Sequence, residues 1–498
     1  MATQKVGRKV PLLSKSRFMA GIQCPLRLWY QCYNPEMAAE TSDAQQAIFD
    51  TGNEVGRLAH RLYPGGVLIE EDHLQHEQAV KTTLTAMRNP GVPAIFEAAF
   101  VQDGVRIRVD VLERAHGGAW NMVEVKSTAS VKDEHVSDVA VQYHVLHVAG
   151  LKVGRAGLLH LNNEYVYDGI SIDLPGIFTL CDLTGQALSL RAEVSAQIKE
   201  LRAMLAGGEP PRVESSKHCD TPNGCEFWDH CTKDKPEFWV RQLSGIHQSK
   251  LDKLAAVGIE DIRAVPDSFQ LSKLQARIRG CVISQEEYFD PQLADALRDV
   301  GYPAHFLDFE TVMMAVPRYA GTRPYQTLPF QWSDHVLLDD GTLEHREYLC
   351  TEDKDPRKEF TRTLLDALGE QGTILIYTSY EKRIIRELAE QFPRHSSRLL
   401  ALMDRFCDLE ALVKRYYYHP SFYGSFSLKA VLPALIPEMN YDSLVIGDGN
   451  EASREYLRMV DPATSTQERE VIRRALLTYC GQDTLAMVRV RNELLARR

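Results

Sequence analysis

The chain has 498 residues, of which 44% are hydrophobic and 25% are charged, as in an ordinary globular protein. Its length predicts two or three domains and argues against a single one. The formal net charge of −11 excludes a surface that attracts nucleic acid everywhere, so such a partner would have to bind along local basic tracks. The same charge fits carboxylate clusters that hold divalent cations.

No stretch of the sequence approaches about eighteen uninterrupted apolar residues, the length that a membrane helix needs. The first residues run into Pro11 without an apolar signal segment. We therefore expect a cytoplasmic protein without a membrane partner. Ten cysteines are too dilute in so long a chain for a disulfide scaffold, so a cluster of them predicts metal or redox chemistry.

Patterns in chain order divide the sequence into three segments. Residues 1–235 combine a helical stretch, strand-like runs and a cysteine-rich end, which predicts an α/β unit. Residues 236–300 have a helical pattern with short loops and are predicted to link the two halves. Residues 301–498 begin with strand-like runs and continue in helical stretches, which predicts a second α/β unit. The helical stretch of the first unit runs from Ser14 to Tyr33, and the longest predicted loops are 312–325 and 438–452.

Two strand-like runs of the first unit carry a group of charged side chains. Because side chains alternate across a strand, Glu124 and Lys126 point to one face of the run 120–126. If the run 106–111 pairs with it as a hairpin, Asp110 joins Glu124 in holding a divalent cation. Lys126 would then position water or steady negative charge. By itself, so short a pattern also fits an exposed hairpin with alternating charge.

Two helical stretches on either side of these strands supply further candidates. His60 is a candidate metal ligand and Gln142 a candidate phosphate or substrate contact, although a lone histidine is more often structural. Helix histidine, strand aspartate, strand Glu-x-Lys and helix glutamine, in this order, resemble the RecB-like branch of the PD-(D/E)XK nucleases. The resemblance implies a restriction-endonuclease-like fold for residues 1–235. It also implies Mg²⁺ or Mn²⁺ at His60, Asp110 and Glu124.

Three cysteines near the end of this segment repeat with five residues between neighbours: Cys219, Cys225 and Cys231. The remote Cys24 could complete the four-thiolate set that a [4Fe–4S] cluster requires. One early cysteine followed by three beyond the nuclease motifs resembles the iron–sulfur nucleases related to RecB, including CRISPR-associated ones. The resemblance covers about residues 13–235.

A structural zinc ion is the competing interpretation of this cluster, because His218 or His230 could supply a ligand beside the thiolates. With either metal we expect the cluster to tie the beginning of the domain to its end, and to matter more for folding and DNA binding than for hydrolysis. The remaining cysteines are scattered and are expected to be buried apolar residues: Cys32, Cys181, Cys281, Cys350, Cys407 and Cys480.

The second α/β segment carries Asp308 and Glu310 two residues apart, and therefore on one face of a strand. Two carboxylates so placed repel each other unless a cation lies between them. Near the carboxyl terminus, Tyr479 and Asp483 lie four apart on one side of a helix, where a phenol can orient water beside a metal-binding aspartate. These features resemble the first and third motifs of the DEDDy 3′→5′ exonucleases. The resemblance implies an RNase H-like fold over residues 301–498 and two catalytic metals.

The second motif of that family is irregular in this sequence. A strand-like run, 374–377, is followed by Tyr380 and Glu381. Glu381 stands where the family has an aspartate, and the asparagine of the motif is missing. Because glutamate can bind metal with one methylene more of reach, we expect Glu381 to be the ligand. Asp408 is a second candidate ligand, with a helix cap as its alternative role.

Together, these patterns predict an α/β protein with two metal-dependent nuclease centres, and the whole chain resembles bacterial RecB-like proteins fused to an exonuclease-like domain. In that comparison, residues 236–300 resemble a degenerate helix-hairpin-helix. The resemblance implies hydrolysis of DNA with single-stranded ends, in repair, recombination or phage defence, with a helicase or defence-system protein as candidate partner. One alternative is a nucleic-acid-binding protein with one or both centres inactive and a purely structural cluster. Another is a structural zinc protein with chance carboxylate pairs.

Overall fold

The computed structural model describes residues 10–72, 74–441 and 444–497. The expectation about a signal segment rests on residues 1–9, which lie outside the described residues, as do two residues of the predicted loop 438–452. The predicted α/β class is confirmed, because helices cover mixed β-sheets along the chain. No helix in the described part of the chain is long and apolar enough to cross a membrane.

The described residues fall into two compact units. The first contains the described residues up to Asp234 together with Met314–Gln326, and the second contains Lys235–Met313 and the described residues from Thr327 onward. The predicted linker 236–300 therefore lies within the second unit. The predicted loop 312–325 lies mainly in the first unit, where backbone hydrogen bonds join it to Tyr167.

The first unit is built on one mixed sheet, whose strands are β1 (Leu13–Ser14), β2 (Val67–Leu68), β3 (Ala94–Gln102), β4 (Val105–Arg114), β5 (Trp120–Lys126), β6 (Val153–Leu161) and β7 (Phe178–Asp182). The strands run in the order β2-β3-β4-β5-β6-β7, and β1 pairs with β4. β3, β4 and β5 are antiparallel neighbours, so the predicted hairpin of the two charged strands is present.

The helices of the first unit are α1 (Lys15–Gln23), α2 (Pro25–Tyr33), α3 (Asp43–His60), α4 (His76–Arg88), α5 (Asp133–Val148), α6 (Leu174–Ile177), α7 (Thr184–Ala206) and α8 (Trp228–Thr232). Apolar side chains of α1, α5 and α7 pack on one face of the sheet, as Phe18, Val141 and Ile198 show. Side chains of α3 pack with Val111 and Val123 in a second cluster.

The predicted helix from Ser14 to Tyr33 is two helices, α1 and α2, which meet at Cys24. Cys24 has an extended backbone with φ −156° and ψ 115°, and Pro25 is the first residue of α2. The reason is steric, because a proline ring disfavours the helical conformation in the residue before it but suits the first turn of a new helix. Cys24 is therefore held at a fixed corner of the chain.

The second unit is built on a sheet whose strands are β9 (Ala304–Met313), β10 (Thr327–Leu337), β11 (Leu343–Leu349), β12 (Ile374–Ile376) and β13 (Phe406–Asp408), and on a separate pair, β8 (Tyr288–Phe289) and β14 (Tyr417–Tyr418). The order of the larger sheet is β11-β10-β9-β12-β13. β9 pairs antiparallel with β10 and parallel with β12. The sequence pattern predicted strands at β9 and β12 but not at β10. β10 is buried on both faces, so its side chains do not alternate between buried and exposed.

The helices of the second unit are α9 (Gln248–Ala255), α10 (Lys273–Ser284), α11 (Gln292–Arg298), α12 (Arg357–Leu368), α13 (Tyr380–Gln391), α14 (Pro393–Ala401), α15 (Leu409–Tyr416), α16 (Leu428–Leu435), α17 (Gly449–Val460) and α18 (Thr466–Ala496). Leu307 and Phe309 of β9 pack with α12 and α13. Phe306 points to the cluster that contains Val488 of α18. The side chains that alternate with Leu307 and Phe309 therefore face α18.

Candidate functional site

The first site consists of six polar side chains on β4, β5, α1 and α5: Lys15, Asp110, Glu124, Lys126, Asp138 and Gln142. The described pairing of β4 with β5 runs up to Val111, opposite Val123. Directly beyond it, Asp110 Oδ2 accepts a hydrogen bond of 2.6 Å from the backbone N–H of Val125. The carboxylate of Asp110 therefore takes part in holding the two strands where they diverge.

Glu124 lies at the centre of the first site and is 1% exposed. Its Oε1 accepts hydrogen bonds from Lys15 Nζ at 2.7 Å and from Lys126 Nζ at 2.6 Å. Its Oε2 accepts one from Gln142 Nε2 at 2.6 Å. Asp138 accepts hydrogen bonds from Lys126 Nζ at 2.5 Å and from Gln142 Nε2 at 2.9 Å. Two ammonium groups and one amide thus bridge two buried carboxylates.

Opposite charges determine the protonation states of these groups. Burial disfavours a charged carboxylate, but Lys126 and Lys15 outweigh it and hold the pKa of Glu124 well below its usual value. In the same way, burial lowers the pKa of the Lys126 ammonium, and the carboxylates of Glu124 and Asp138 raise it further than burial lowers it. Asp110 behaves differently, since burial and the negative charge of Glu124 raise its pKa well above its usual value.

The structure brings Asp110, Glu124 and Lys126 together on the paired strands, as the strand pattern predicted, and it adds the candidate Gln142 from α5 to this group. It adds Lys15 and Asp138, which sequence reasoning missed. Asp138 lies four residues before Gln142 on α5, and this spacing could have indicated it. Lys15 follows the helix cap Ser14, a local signal that says nothing about its distant partner.

His60, at the end of α3, makes a different contact. Its ring stacks on that of Phe96 with centroids 4.0 Å apart, and burial lowers the pKa of the imidazole. Phe96 pairs in register with Val111, whose side chain belongs to the apolar cluster around α3. The described contact of His60 is thus aromatic, and its role as a metal ligand stays a prediction.

The four cysteines of the predicted cluster line one pocket in the first unit, the cysteine pocket: Cys24, Cys219, Cys225 and Cys231. Cys24 and Cys219 are buried, and no disulfide joins the cysteines in the described part of the chain. Burial raises the pKa of Cys225 to about 11, and burial together with the neighbouring thiols raises that of Cys231. These raised pKa values disfavour the thiolate forms of the cysteines. Because a bound metal stabilises thiolates, the pocket fits a metal centre.

His218 and His230 are the two candidate histidine ligands in the zinc interpretation. His218 also lines the cysteine pocket, and its Nδ1 hydrogen bonds with Ser216 Oγ at 2.6 Å. The ring of His230 lies edge-on to that of Tyr30, with centroids 5.0 Å apart. The described residues therefore contain candidate ligands for both interpretations: the four cysteines for an iron–sulfur cluster, and cysteines with a histidine for a zinc ion.

The second site consists of side chains from β9, α13 and α18: Asp308, Glu310, Glu381, Cys480 and Asp483. The ligand atoms of Asp308, Glu310 and Cys480 lie within 4.8 Å of one another, which is close enough to hold a metal ion. The thiol of Cys480 contacts Asp308 Oδ2 at 3.5 Å. Cys480 was expected to be a buried apolar residue; it is buried, and it also joins this group.

Glu381 enters the second site from the first turn of α13. The backbone just before this helix has a φ of 93° at Thr378, a conformation that side chains rarely adopt and that recurs at functional sites. The Tyr380 hydroxyl hydrogen bonds with Thr311 Oγ1 at 2.6 Å, which fastens the start of α13 to β9. Glu381 is 2% exposed, and its Oε2 has no hydrogen-bond partner among the described residues. A buried carboxylate oxygen without a partner fits a cation ligand.

Like charges dominate the electrostatics of the second site. Burial, reinforced by Asp483, raises the pKa of Asp308 well above its usual value. Burial and Asp308 do the same to the carboxyls of Glu310 and Glu381. Burial raises the pKa of Asp483 to about 6. Four carboxyl groups are therefore held where they can all ionise only if positive charge is added.

Aromatic side chains and one lysine surround Asp483. The Tyr441 hydroxyl donates a hydrogen bond to Asp483 Oδ1. The ammonium of Lys429 lies 5.4 Å from the ring centroid of Tyr441 and 5.6 Å from that of Tyr479. Tyr479 is buried, and burial and the charge of Asp483 raise its pKa. Neither Tyr441 nor Lys429 was among the predicted site residues.

Asp408 lies at the end of β13, and its charge raises the pKa of Glu381. Its Oδ1 accepts a hydrogen bond of 3.0 Å from the backbone N–H of Ala411, which makes Asp408 the N-cap of α15. The alternative role considered for Asp408, a helix cap, is therefore present, and its role as a metal ligand stays a prediction.

Two comparisons with known proteins bear on the second unit and on the chain. Residues 305–427 match a family described as "Domain of unknown function (DUF2779)". This range contains Asp308, Glu310 and Glu381 but ends before α18. The chain is also similar to the "Uncharacterized protein UU173" of Ureaplasma parvum serovar 3, with 23% identity over 210 residues, which cover 37% of this chain and 30% of the relative.

Proposed function

We propose that this protein is a metal-dependent nuclease that hydrolyses phosphodiester bonds in DNA, with one centre in each unit. The observation that carries the proposal is the second site, where buried carboxyl groups from β9, α13 and α18 converge with raised pKa values. Oxygen ligands are those that Mg²⁺ and Mn²⁺ prefer, and clustered carboxylates are the usual way to hold them.

In the second site, Asp308, Glu310, Glu381 and Asp483 would hold the cations. A divalent cation bound there supplies a Lewis acid that polarises a phosphoryl oxygen. Tyr441 orients Asp483 through the hydrogen bond to Oδ1. Lys429 adds a positive charge that lowers the pKa values of Asp483 and Glu310. The resemblance of this unit to the DEDDy exonucleases supports cleavage from 3′ ends.

In the first site, Asp110 and Glu124 would hold the cation. Glu124 is kept ionised by Lys126 and Lys15, so a negatively charged ligand is available near neutral pH. Lys126 lies beside Glu124 and can steady the negative charge that develops on a phosphate. The resemblance to RecB-like PD-(D/E)XK nucleases supports endonucleolytic cleavage or cleavage from 5′ ends.

The cysteine pocket would hold a [4Fe–4S] cluster as a structural element. Four thiols that line one pocket provide the ligand number such a cluster needs. Metal analysis after anaerobic purification tests this part of the proposal. We expect about four iron and four sulfide ions per chain, whereas about one zinc ion would favour the zinc interpretation.

The nuclease proposal is tested by assaying Asp110→Ala and Asp308→Ala separately on 5′- and 3′-labelled single-stranded DNA with Mn²⁺. We expect each substitution to lower one cleavage activity by about a hundredfold or more, because each removes a metal ligand. Asp340→Ala is the matched control, since Asp340 is an exposed aspartate of the second unit. Wild-type protein that binds DNA and Mn²⁺ but does not cleave would contradict the proposal and favour a binding protein with inactive centres.

A further inference from the structure

Helix α1 runs from the first site to the cysteine pocket. Its first residue, Lys15, places its ammonium 2.7 Å from Glu124 Oε1 and 3.4 Å from Asp138 Oδ1. Its last residue is Gln23, and Cys24 follows as the C-cap. A helix of nine residues is about 13 Å long at 1.5 Å per residue, so one short rigid element joins the two places.

The beginning of α1 is fastened to the strand that carries Asp110. Leu13 and Ser14 form β1 and pair with Val105 and Arg106 of β4. Ser14 then caps α1 by accepting a hydrogen bond of 3.1 Å from the backbone N–H of Arg17. Lys15 therefore enters the first site from a backbone position that β4 itself supports.

The end of α1 is fastened to the segment that carries the other three cysteines. Gln23 Nε2 donates hydrogen bonds of 2.7 Å to the carbonyl oxygens of His218 and Asn223. Just beyond the helix, Arg27 forms an ion pair of 2.7 Å with Glu226. A displacement of the segment around Cys219 and Cys225 would consequently pull on the end of α1.

The middle of α1 leaves little room for bending. A Cβ added at Gly21 would lie 2.7 Å from Leu201 Cδ1 of α7 and 2.8 Å from Leu28 Cδ2 of α2. Phe18 is fully buried in the core of the first unit. Because the interior of a protein is close-packed, a shift at one end of α1 is passed to the other end as movement of a rigid body.

We propose that α1 couples the cysteine pocket to the first site, with Lys15 as a positioning residue that holds Glu124 and Asp138 in place only while the pocket is filled. This inference rests on the proposed function, because it takes the pocket as a metal site and the first site as the place where phosphate is attacked. Lys15 acts through Glu124, whose negative charge it stabilises together with Lys126. The metal in the pocket therefore does more than stabilise the fold, because its loss changes how Glu124 is held at the other end of α1.

Amine labelling of anaerobically purified protein, followed by peptide mass spectrometry, tests the coupling without any cleavage assay. In Cys24→Ser and in Cys231→Ser we expect Lys15 to be acylated roughly tenfold faster, as for the loss of an interaction worth about 1.4 kcal/mol. Lys126 is the internal reference, because it binds the same carboxylates but lies on β5. Cys32→Ser is the control variant, since Cys32 lies on α2 outside the lining of the pocket.

Several outcomes overturn the coupling. Lys126 labelled as fast as Lys15 means that the whole domain has loosened, and unchanged labelling of Lys15 means that α1 does not respond. Faster labelling in Cys24→Ser but not in Cys231→Ser means that the effect comes from the helix end and not from the contents of the pocket. None of these outcomes bears on cleavage, so the coupling can fail while the nuclease proposal stands.

A second measurement keeps the coupling testable if the cysteine variants do not fold. Coupling between two sites is reciprocal, so Lys15 must also strengthen metal binding in the pocket. With the pocket reloaded with Co²⁺, we expect Lys15→Met to weaken the equilibrium affinity by roughly tenfold, again for about 1.4 kcal/mol. The affinity is followed through thiolate-to-cobalt absorption in competition with a chelator. Lys132→Met is the control, because Lys132 is an exposed lysine of the same unit. An affinity equal to that of the wild type overturns the coupling.

Discussion

The first and second sites share one local pattern, two charged side chains two residues apart on a strand. They differ in the charges that surround the first carboxyl group of that pattern. In the first site the second residue is Lys126, and with Lys15 it holds the pKa of Glu124 well below its usual value. In the second site the second residue is Glu310, and burial with further carboxyls raises the pKa of Asp308. The first site balances Glu124 with two ammonium groups, whereas the second site gathers buried carboxyl groups that raise one another's pKa values.

The difference shows that burial alone does not set the protonation state of a carboxyl. Glu124 and Glu381 are both nearly inaccessible to solvent, at 1% and 2% exposure. Ammonium groups bind one of them, whereas an oxygen of the other has no hydrogen-bond partner among the described residues. Three predictions test this contrast.

The largest expected effect is on folding free energy without divalent cations. Glu124→Gln leaves Lys15 and Lys126 with one carboxylate fewer, and we expect a loss of about 3 kcal/mol, as for other broken buried ion pairs. Glu381→Gln removes a buried carboxyl without charge compensation, and we expect a gain of about 1 kcal/mol. Denaturant unfolding in the presence of a chelator measures both. Changes of the same sign would contradict the contrast between the two sites.

The second prediction concerns stabilisation by added Mn²⁺. At a hundredfold excess over its dissociation constant, a bound ion stabilises the fold by about 2.7 kcal/mol. We expect Asp308→Asn to abolish most of this gain and Asp110→Asn to leave most of it, because the second site depends more on added charge. Asp340→Asn is the control. Thermal unfolding with and without Mn²⁺ gives the answer, and an equal loss in both variants would show that the two sites respond alike.

The smallest expected effect is the pH dependence of the metal-free protein. The pKa of Asp483 rises from 3.8 to about 6 on folding, so the folded state prefers the neutral carboxyl. This contribution to stability is present at low pH and is lost as the pH rises from about 4 through about 6. Asp483→Asn should remove that loss. An unchanged profile of unfolding free energy between those pH values would show that Asp483 is not the group responsible.

At low pH, the acid limb of the same curve of unfolding free energy against pH tests the first site. Glu124 has a pKa held below its usual value, so its contribution is present above the unfolded value of 4.5 and is lost as the pH falls below it. Glu124→Gln should flatten the acid limb, whereas Asp483→Asn should flatten the limb between about 4 and 6. Glu124→Gln therefore tests the stability that is lost as the pH falls, and Asp483→Asn tests the stability that is lost as the pH rises.

Much of both sites could be predicted because it depends on local periodicity. Alternation along a strand places Glu124 beside Lys126 and Asp308 near Glu310. Helical spacing places Tyr479 beside Asp483 in the long helix α18. The pairing of β4 with β5 followed from two short charged runs close in sequence.

Other members of the sites escaped prediction because their partners are far away along the chain. Lys15 meets Glu124 across 109 positions, and Cys480 meets Asp308 across 172. No local pattern encodes such a pair, since it depends on which apolar faces of helices and sheets pack together. The placement of Met314–Gln326 in the first unit is of the same kind.

The sequence by itself determined which side chains share a strand face or a helix side, because backbone geometry repeats every two residues or every 3.6. Pro25 also encodes the break between α1 and α2 at Cys24, although the sequence pattern predicted one helical stretch from Ser14 to Tyr33. Only the tertiary structure decided the charge balance. It placed two lysines on Glu124 and further carboxyls around Asp308, and in a buried site the neighbours in space determine which carboxyls ionise.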